Sequence, residues 1–114
     1  MSQDGFSLIV FPVRDVARAK AFYAQVLGQE PYADSPYYVG FRAGEQEIGL
    51  DPSAHSKGVG VVHYHRVNDL KASFASLRSA GAEVQQDVSQ VGPNRHIAIL
   101  KDADGNFIGL LQDG

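Results

Sequence analysis

Hydrophobic and polar positions follow two rhythms along this chain, and the rhythm changes at recognisable stop signals. Residues 7 to 13 (Ser-Leu-Ile-Val-Phe-Pro-Val) are a short, partly β-branched apolar run, which predicts a strand. Pro12 lacks a ladder donor and marks its end or an edge. From Val16 the spacing turns helical: Val16, Ala19, Phe22, Tyr23, Val26 and Leu27 fall on one stripe. Asp15 precedes the stripe as an N-cap, its carboxylate placed to accept a bond from a first-turn amide, and Gly28 ends it as a left-handed residue. After a proline-containing loop, Tyr37 to Arg42, a turn at Gly44 and Gln46 to Leu50 predict a hairpin. Residues 52 to 58 (Pro-Ser-Ala-His-Ser-Lys-Gly) read as a polar linker.

The pattern then restarts. Residues 59 to 67 predict a strand, Asp69 an N-cap, and Leu70, Phe74 and Leu77 a second helical stripe that Gly81 terminates. A short strand near Glu83 to Val88 and a Gly92-Pro93-Asn94 turn lead to a closing hairpin. Its strands hold the apolar runs Ile97 to Leu100 and Phe107 to Leu111, and its turn is Asp102-Ala103-Asp104-Gly105-Asn106. Gly105 supplies the positive φ such a turn requires. The two halves match in order and spacing: Val13-Arg14-Asp15-Val16 echoes Val67-Asn68-Asp69-Leu70, and Ile48-Gly49-Leu50 returns as Ile108-Gly109-Leu110. This indicates an internal duplication of a strand–helix–three-strand unit, with modules at about residues 5–57 and 58–114 of a single α+β domain. Each half alone has little core, and docking two of them would bury what each leaves exposed.

Composition narrows the function classes. A net charge of −3 across 114 residues gives no basic patch for nucleic acid. No window approaches the roughly 18 apolar residues of a membrane span. Met1 to Gly5 lacks the basic and apolar regions of a signal peptide, so a cytoplasmic protein is expected. There is no cysteine, which removes disulfides, zinc–thiolate sites and thiol nucleophiles together.

Three segments in this order carry a family resemblance: Val13-Arg14-Asp15-Val16 with Phe22-Tyr23 and Leu27-Gly28; Val67-Asn68-Asp69-Leu70 with Ala80-Gly81-Ala82; and Asp102-Ala103-Asp104-Gly105-Asn106-Phe107-Ile108. The chain resembles the vicinal oxygen chelate superfamily, which includes glyoxalase I, extradiol dioxygenases, and fosfomycin and bleomycin resistance proteins. Asp102-Ala103 stands where the family commonly has Asp-Pro. The resemblance implies two tandem βαβββ modules whose mixed sheets curl around a shared cleft, usually in a homodimer. It also implies that metal-dependent members take one ligand from each of four strands. Those positions fall here on Leu8, Gly49, Val62 and Gly109, none of which offers an imidazole or carboxylate donor. No cofactor is predicted, and a divalent metal could bind only away from the usual positions. This argues against the metal-assisted chemistry of glyoxalases and dioxygenases.

Other residues could supply chemistry. His63 and His65 are two apart and share a strand face, so they form half of an alternative metal site. Counting from Val67 places them on the helix-facing side as hydrogen-bonded, semi-buried groups, and turns Val62, Tyr64 and Arg66 toward the cleft. His96 alternates with Ile97 and Ile99; if those pack under a helix, it faces the cleft as the leading acid–base candidate. Glu47 and Asp51 face inward by the same counting, either as bases or ligands or as solvated carboxylates. Phe107, Gly109 and Leu111 do the same in the last strand. Tyr37, Tyr38 and Tyr64 can stack or orient a ligand, Arg66 can anchor an anion or serve as a salt-bridge partner, and His55 reads as solvated. Gly49 and Gly109 inside strands imply a close approach by a ligand, a partner's aromatic side chain or the other module.

Two function classes follow. One is a metal-free protein that sequesters an amphipathic or aromatic small molecule. The other is an enzyme: a lyase, isomerase or dioxygenase-type catalyst using His96 with Glu47 or Asp51, or one with relocated histidine ligands. A structural or interaction module is the third possibility.

Overall fold

The computed structural model describes residues 6–114, apart from the side chains of 55 and 56. The chain divides into two compact units, Leu8–Val61 and Val62–Gly114, the latter joined by Phe6 and Ser7. Both have the order strand, helix, three strands, and the class is α+β as expected.

In the first unit β1 (Leu8–Pro12) leads into α1 (Val16–Leu27), then β2 (Ala33–Ser35), β3 (Tyr38–Ala43), β4 (Gln46–Asp51) and a short α2 (Pro52–Ser56). The strand order is β2-β3-β4-β1, with β1 parallel to β4 and the other pairs antiparallel. Asp15 caps α1 by accepting from the Arg18 amide at 3.1 Å, and Gly28 ends it at φ +67°. The core is Val39, Phe41 and Leu50, packed with Phe11, Val13, Val16, Ala19, Tyr23, Leu27 and Ile48. Each fully buried large side chain contributes about 1.5–3 kcal/mol relative to exposure. Two members of the expected stripe do not join this core: Phe22 is 61% and Val26 62% exposed. A helix on one sheet buries a single stripe about 100° wide, and those residues fall outside it.

The second unit repeats the arrangement with β5 (Val62–Arg66), α3 (Leu70–Ser79), β6 (Glu83–Gln90), β7 (Arg95–Lys101) and β8 (Phe107–Asp113). The order is β5-β8-β7-β6, again with the first strand parallel to the last. Asp69 caps α3 through the Ala72 amide at 3.1 Å, matching Asp15. The amide of Val67 donates to Leu111 O as that of Val13 donates to Asp51 O. The core is Val67, Leu70, Phe74, Ala98, Leu100 and Leu110. In the closing turn the Asp102 carboxylate accepts from the amides of Asp104 and Asn106 and from Asn106 Nδ2, while Gly105 adopts φ +84°.

The expected strand at 59 to 67 begins only at Val62, and three further boundaries differ from the sequence reading. The expected linker at 52 to 58 begins with α2, because Asp51 Oδ1 accepts from the Ser53 amide and hydroxyl and from the Ala54 amide, capping a helical turn. Residues 33–35 form a strand inside the expected loop, and β6 runs on to Gln90 through two register irregularities. The reading of Met1 to Gly5 as free of a signal peptide, and that of the His55 side chain as solvated, lie outside the described residues. No helix among the described residues is long and apolar enough to cross a membrane.

Candidate functional site

Each unit presents one sheet face to its helix and one away from it, and the pleat decides which side chains are available for binding. In β4, Ile48 and Leu50 belong to the α1 core, so Glu47, Gly49 and Asp51 point to the opposite face. Gly49 pairs with Val10 on one side and Gly40 on the other. A Cβ at Gly49 would meet Tyr38 Oη at 2.2 Å, and one at Gly40 would meet the Tyr32 ring at 3.0 Å. Both glycines therefore leave the room that a tyrosine's hydroxyl end occupies over the strand.

Tyr32 also serves Glu47. Its hydroxyl donates to Glu47 Oε1 at 2.5 Å, and the Arg42 guanidinium lies 4.7 Å from the centre of its ring. Glu47 is only 6% exposed. A buried carboxylate is costly unless hydrogen-bonded, and the tyrosine supplies that bond beside a cation. The arrangement can hold a proton or receive a polar group. Asp51 has the α2 cap as its partner, so its Oδ1 is committed to the fold. Tyr37 is exposed at the β2–β3 turn.

In the second unit Leu110 packs in the α3 core, which sends Phe107, Gly109 and Leu111 to the other face together with Val62, Tyr64 and Arg66. Tyr64 pairs directly with Gly109, and a Cβ on that glycine would meet Tyr64 Cδ1 at 2.2 Å. The close approach expected at Gly49 and Gly109 is thus made by the chain's own tyrosines, each from the same unit. Neither a ligand nor a partner's side chain is needed to explain these glycines. Arg66 Nη2 donates to Asp113 Oδ2 at 2.9 Å, and Arg95 donates to both oxygens of the same carboxylate. The Arg95 hydrogen bonds, against the opposing effect of burial, hold the Asp113 carboxyl below its ordinary range, with Arg66 adding to the effect. Arg66 and Arg95 thus converge on one carboxylate. Lys101 Nζ lies 5.6 Å from the centre of the Phe107 ring.

His96 requires a correction. Ile97 pairs with Leu111 and Ile99 with Gly109, so the isoleucines lie on the face away from α3. His96 pairs with Gln112, whose Oε1 accepts from the Leu70 amide at the start of α3. It therefore stands on the helix side with Ala98 and Leu100, away from Tyr64 and Arg66. Its placement among the cleft groups rested on Ile97 and Ile99 packing under the helix. His63 and His65 fall on the helix-facing side as expected, but His63 Nδ1 is buried without a hydrogen-bond partner. Burial, then the neighbouring His63, lowers the His65 pKa from its ordinary value. Tyr32 is the site residue that sequence reasoning missed; Gly40 in mid-strand was its one signal, as Gly49 was for Tyr38.

Leu8, Val62, Gly49 and Gly109 carry no donor atom, and rings cover both glycines. Among the described residues no group of three or more His, Asp or Glu side chains could hold a metal ion. These residues do not fit the family's metal centre.

Residues 5–110 match the family model described as the Glyoxalase/Bleomycin resistance protein/Dioxygenase superfamily. The chain belongs to that superfamily. Among solved structures it is similar to a hypothetical protein from Bacillus halodurans, at TM-score 0.77 and 16% identity over 99% of this chain and 96% of that one. It is similar to a methylmalonyl-CoA epimerase from Streptomyces coelicolor, at 0.73 and 18% over 99% of each chain. A Mn(II)-bound glyoxalase from Novosphingobium aromaticivorans matches at 0.71 and 20%, over 96% of this chain and 38% of that one. At these identities the likeness establishes the fold. No curated protein matches the chain.

Proposed function

We propose that this superfamily member is a metal-free small-molecule-binding protein that takes up an amphipathic or aromatic ligand on the helix-free faces of its strands. The observation that carries this reading is the covering of Gly49 and Gly109 by Tyr38 and Tyr64 at positions without metal donors. The half-buried ring of Tyr38 and the exposed ring of Tyr32 offer stacking area with little conformational entropy left to lose, whereas Tyr64, buried over Gly109, only closes that position. Glu47 with Tyr32 would fix a polar group on the ligand. Arg66, beside the Arg95–Asp113 pair, would favour an anionic one.

A second reading, a lyase or isomerase, is favoured by one specific feature. Glu47 is a buried carboxylate hydrogen-bonded to the Tyr32 hydroxyl, and such a pair would pass a proton to or from a ligand bound beside it. His96 is not part of this reading, since it lies on the helix side of its own unit.

A thermal-shift screen against metabolites and antibiotics in EDTA tests the proposal. A ligand at 100 times its Kd stabilises the folded state by about 2.7 kcal/mol. The expected result is a hit that persists in EDTA and weakens in Tyr32→Phe or Arg66→Ala. Stabilisation only in the presence of added metal, or by no small molecule at all, would overturn it. Turnover of the hit that is abolished in Glu47→Gln would favour the enzyme.

A further inference from the structure

The His63–His65 pair on β5 belongs to neither reading, and one of its nitrogens has no structural partner. Residues two apart on a strand project to the same side. The two imidazoles have ring centres 5.5 Å apart with planes crossed at 79°. Two imidazoles binding one ion at about 2.0–2.1 Å must keep their ring centres within roughly 6 Å of each other. Their planes must also intersect, because each nitrogen lone pair lies in its ring plane. Face-to-face stacked rings fail the second condition; this pair is not stacked, and its spacing permits a shared ion.

A second observation is independent of that spacing. His63 Nδ1 is sealed from water and has no hydrogen-bond partner. Buried polar atoms in folded proteins are almost always satisfied, and a bare one has a cost. A coordinate bond would supply the missing partner. Phe6 packs beside both rings, with centres 4.4 Å from His63 and 4.9 Å from His65, and gives the pair an apolar neighbour.

We infer that His63 and His65 form a binding site for a late first-row divalent cation, Cu2+ foremost and Ni2+ or Zn2+ after it, on the helix side of β5. Neutral imidazole donors without a carboxylate select these ions over Mn2+ and Mg2+. No third His, Asp or Glu joins the pair among the described residues. The ion would therefore keep open positions for water or for a chelating small molecule. This site is separate from the helix-free faces and stands whether or not those bind a ligand.

The test is titration of the tag-free, metal-stripped full chain with CuCl2, followed by calorimetry and by electron paramagnetic resonance. One equivalent should bind with a micromolar or tighter Kd and show nitrogen hyperfine coupling. His65→Ala should weaken binding at least tenfold while the chain keeps its circular dichroism spectrum. His63→Ala should do the same, and His63→Gln provides a further variant should the alanine form unfold. His96→Ala should leave Cu2+ affinity unchanged. Absence of saturable binding, or binding that survives His65→Ala and His63→Gln, would overturn the inference.

Discussion

The ring of Tyr64 rests on the backbone of Gly109, its partner across the β5–β8 ladder: a Cβ on the glycine would lie 2.2 Å from Cδ1 and 2.5 Å from Cε1. Such distances cannot be absorbed without moving the ring. Tyr64 is 5% exposed, so it has little room to move. Gly109→Ala should therefore destabilise the fold by about 1–3 kcal/mol, as overpacking does. The same substitution in a Tyr64→Val background should be nearly neutral, because the clashing ring is gone. Urea midpoints for the four proteins of this double-mutant cycle measure the coupling.

The Tyr32–Glu47 bond should matter to stability whatever the ligand. Tyr32→Phe leaves a buried carboxylate without its hydroxyl donor and should cost about 1–3 kcal/mol. Glu47→Gln removes the charge that needs compensation and keeps an acceptor for the hydroxyl, so it should cost less. Equal losses for the two would show that the bond is not what stabilises the carboxylate.

Phe22 should be replaceable. It is 61% exposed, so Phe22→Ser should change stability by no more than about 0.5 kcal/mol. Tyr23, its neighbour, packs in the α1 core and stacks on Phe11 with ring centres 5.6 Å apart. Tyr23 is half-buried, so Tyr23→Ser should cost about 1–3 kcal/mol, less than truncation of a fully buried aromatic. Thermal melts of the pair distinguish the structural stripe from the sequence stripe.

Acid should act in two stages. The folded-state pKa of His65 lies below the ordinary value of 6.5, so the unfolded chain takes up the proton more readily. Stability should accordingly fall as pH drops below 6.5 and be unaffected by this group above it. The Asp113 carboxyl is depressed by Arg95 and then Arg66, and that of Asp102 by the Asn106 amide and side chain. Their stabilisation should be present above 3.8 and lost as pH falls through the lower folded-state values. Urea midpoints against pH should show both declines. His65→Gln should flatten the first and Asp113→Asn reduce the second; a midpoint that rose just below pH 6.5 would contradict the first sign, and one that rose below 3.8 the second.

Much of this fold was legible because local signals agreed. Asp15 and Asp69 cap helices where the residue pattern changes period, and Asp102 to Asn106 form the turn that their composition predicts. The faces of β4, β5 and β8 followed from alternation, since Ile48, Leu50 and Leu110 each pack against a helix. Alternation failed at β7, where Ile97, Ala98, Ile99 and Leu100 are all buried. A strand buried on both faces gives no clue to parity. His96 was misplaced for that reason. The tyrosine rings were invisible for a different one. A mid-strand glycine announces a close approach, but the identity of the approaching group depends on register, which is a tertiary property. The capping role of Asp51 was hidden because the short α2 has no apolar stripe to announce it.

The central claim is that this chain keeps the superfamily fold while its four metal positions are closed to metal. Calorimetric titration of the metal-stripped His63→Ala/His65→Ala double variant with MnCl2 tests it most directly, because the proposed β5 site is then removed. The expected result is no saturable heat and no change in melting temperature up to millimolar Mn2+. Saturable binding of one equivalent, with a rise in melting temperature, would contradict it.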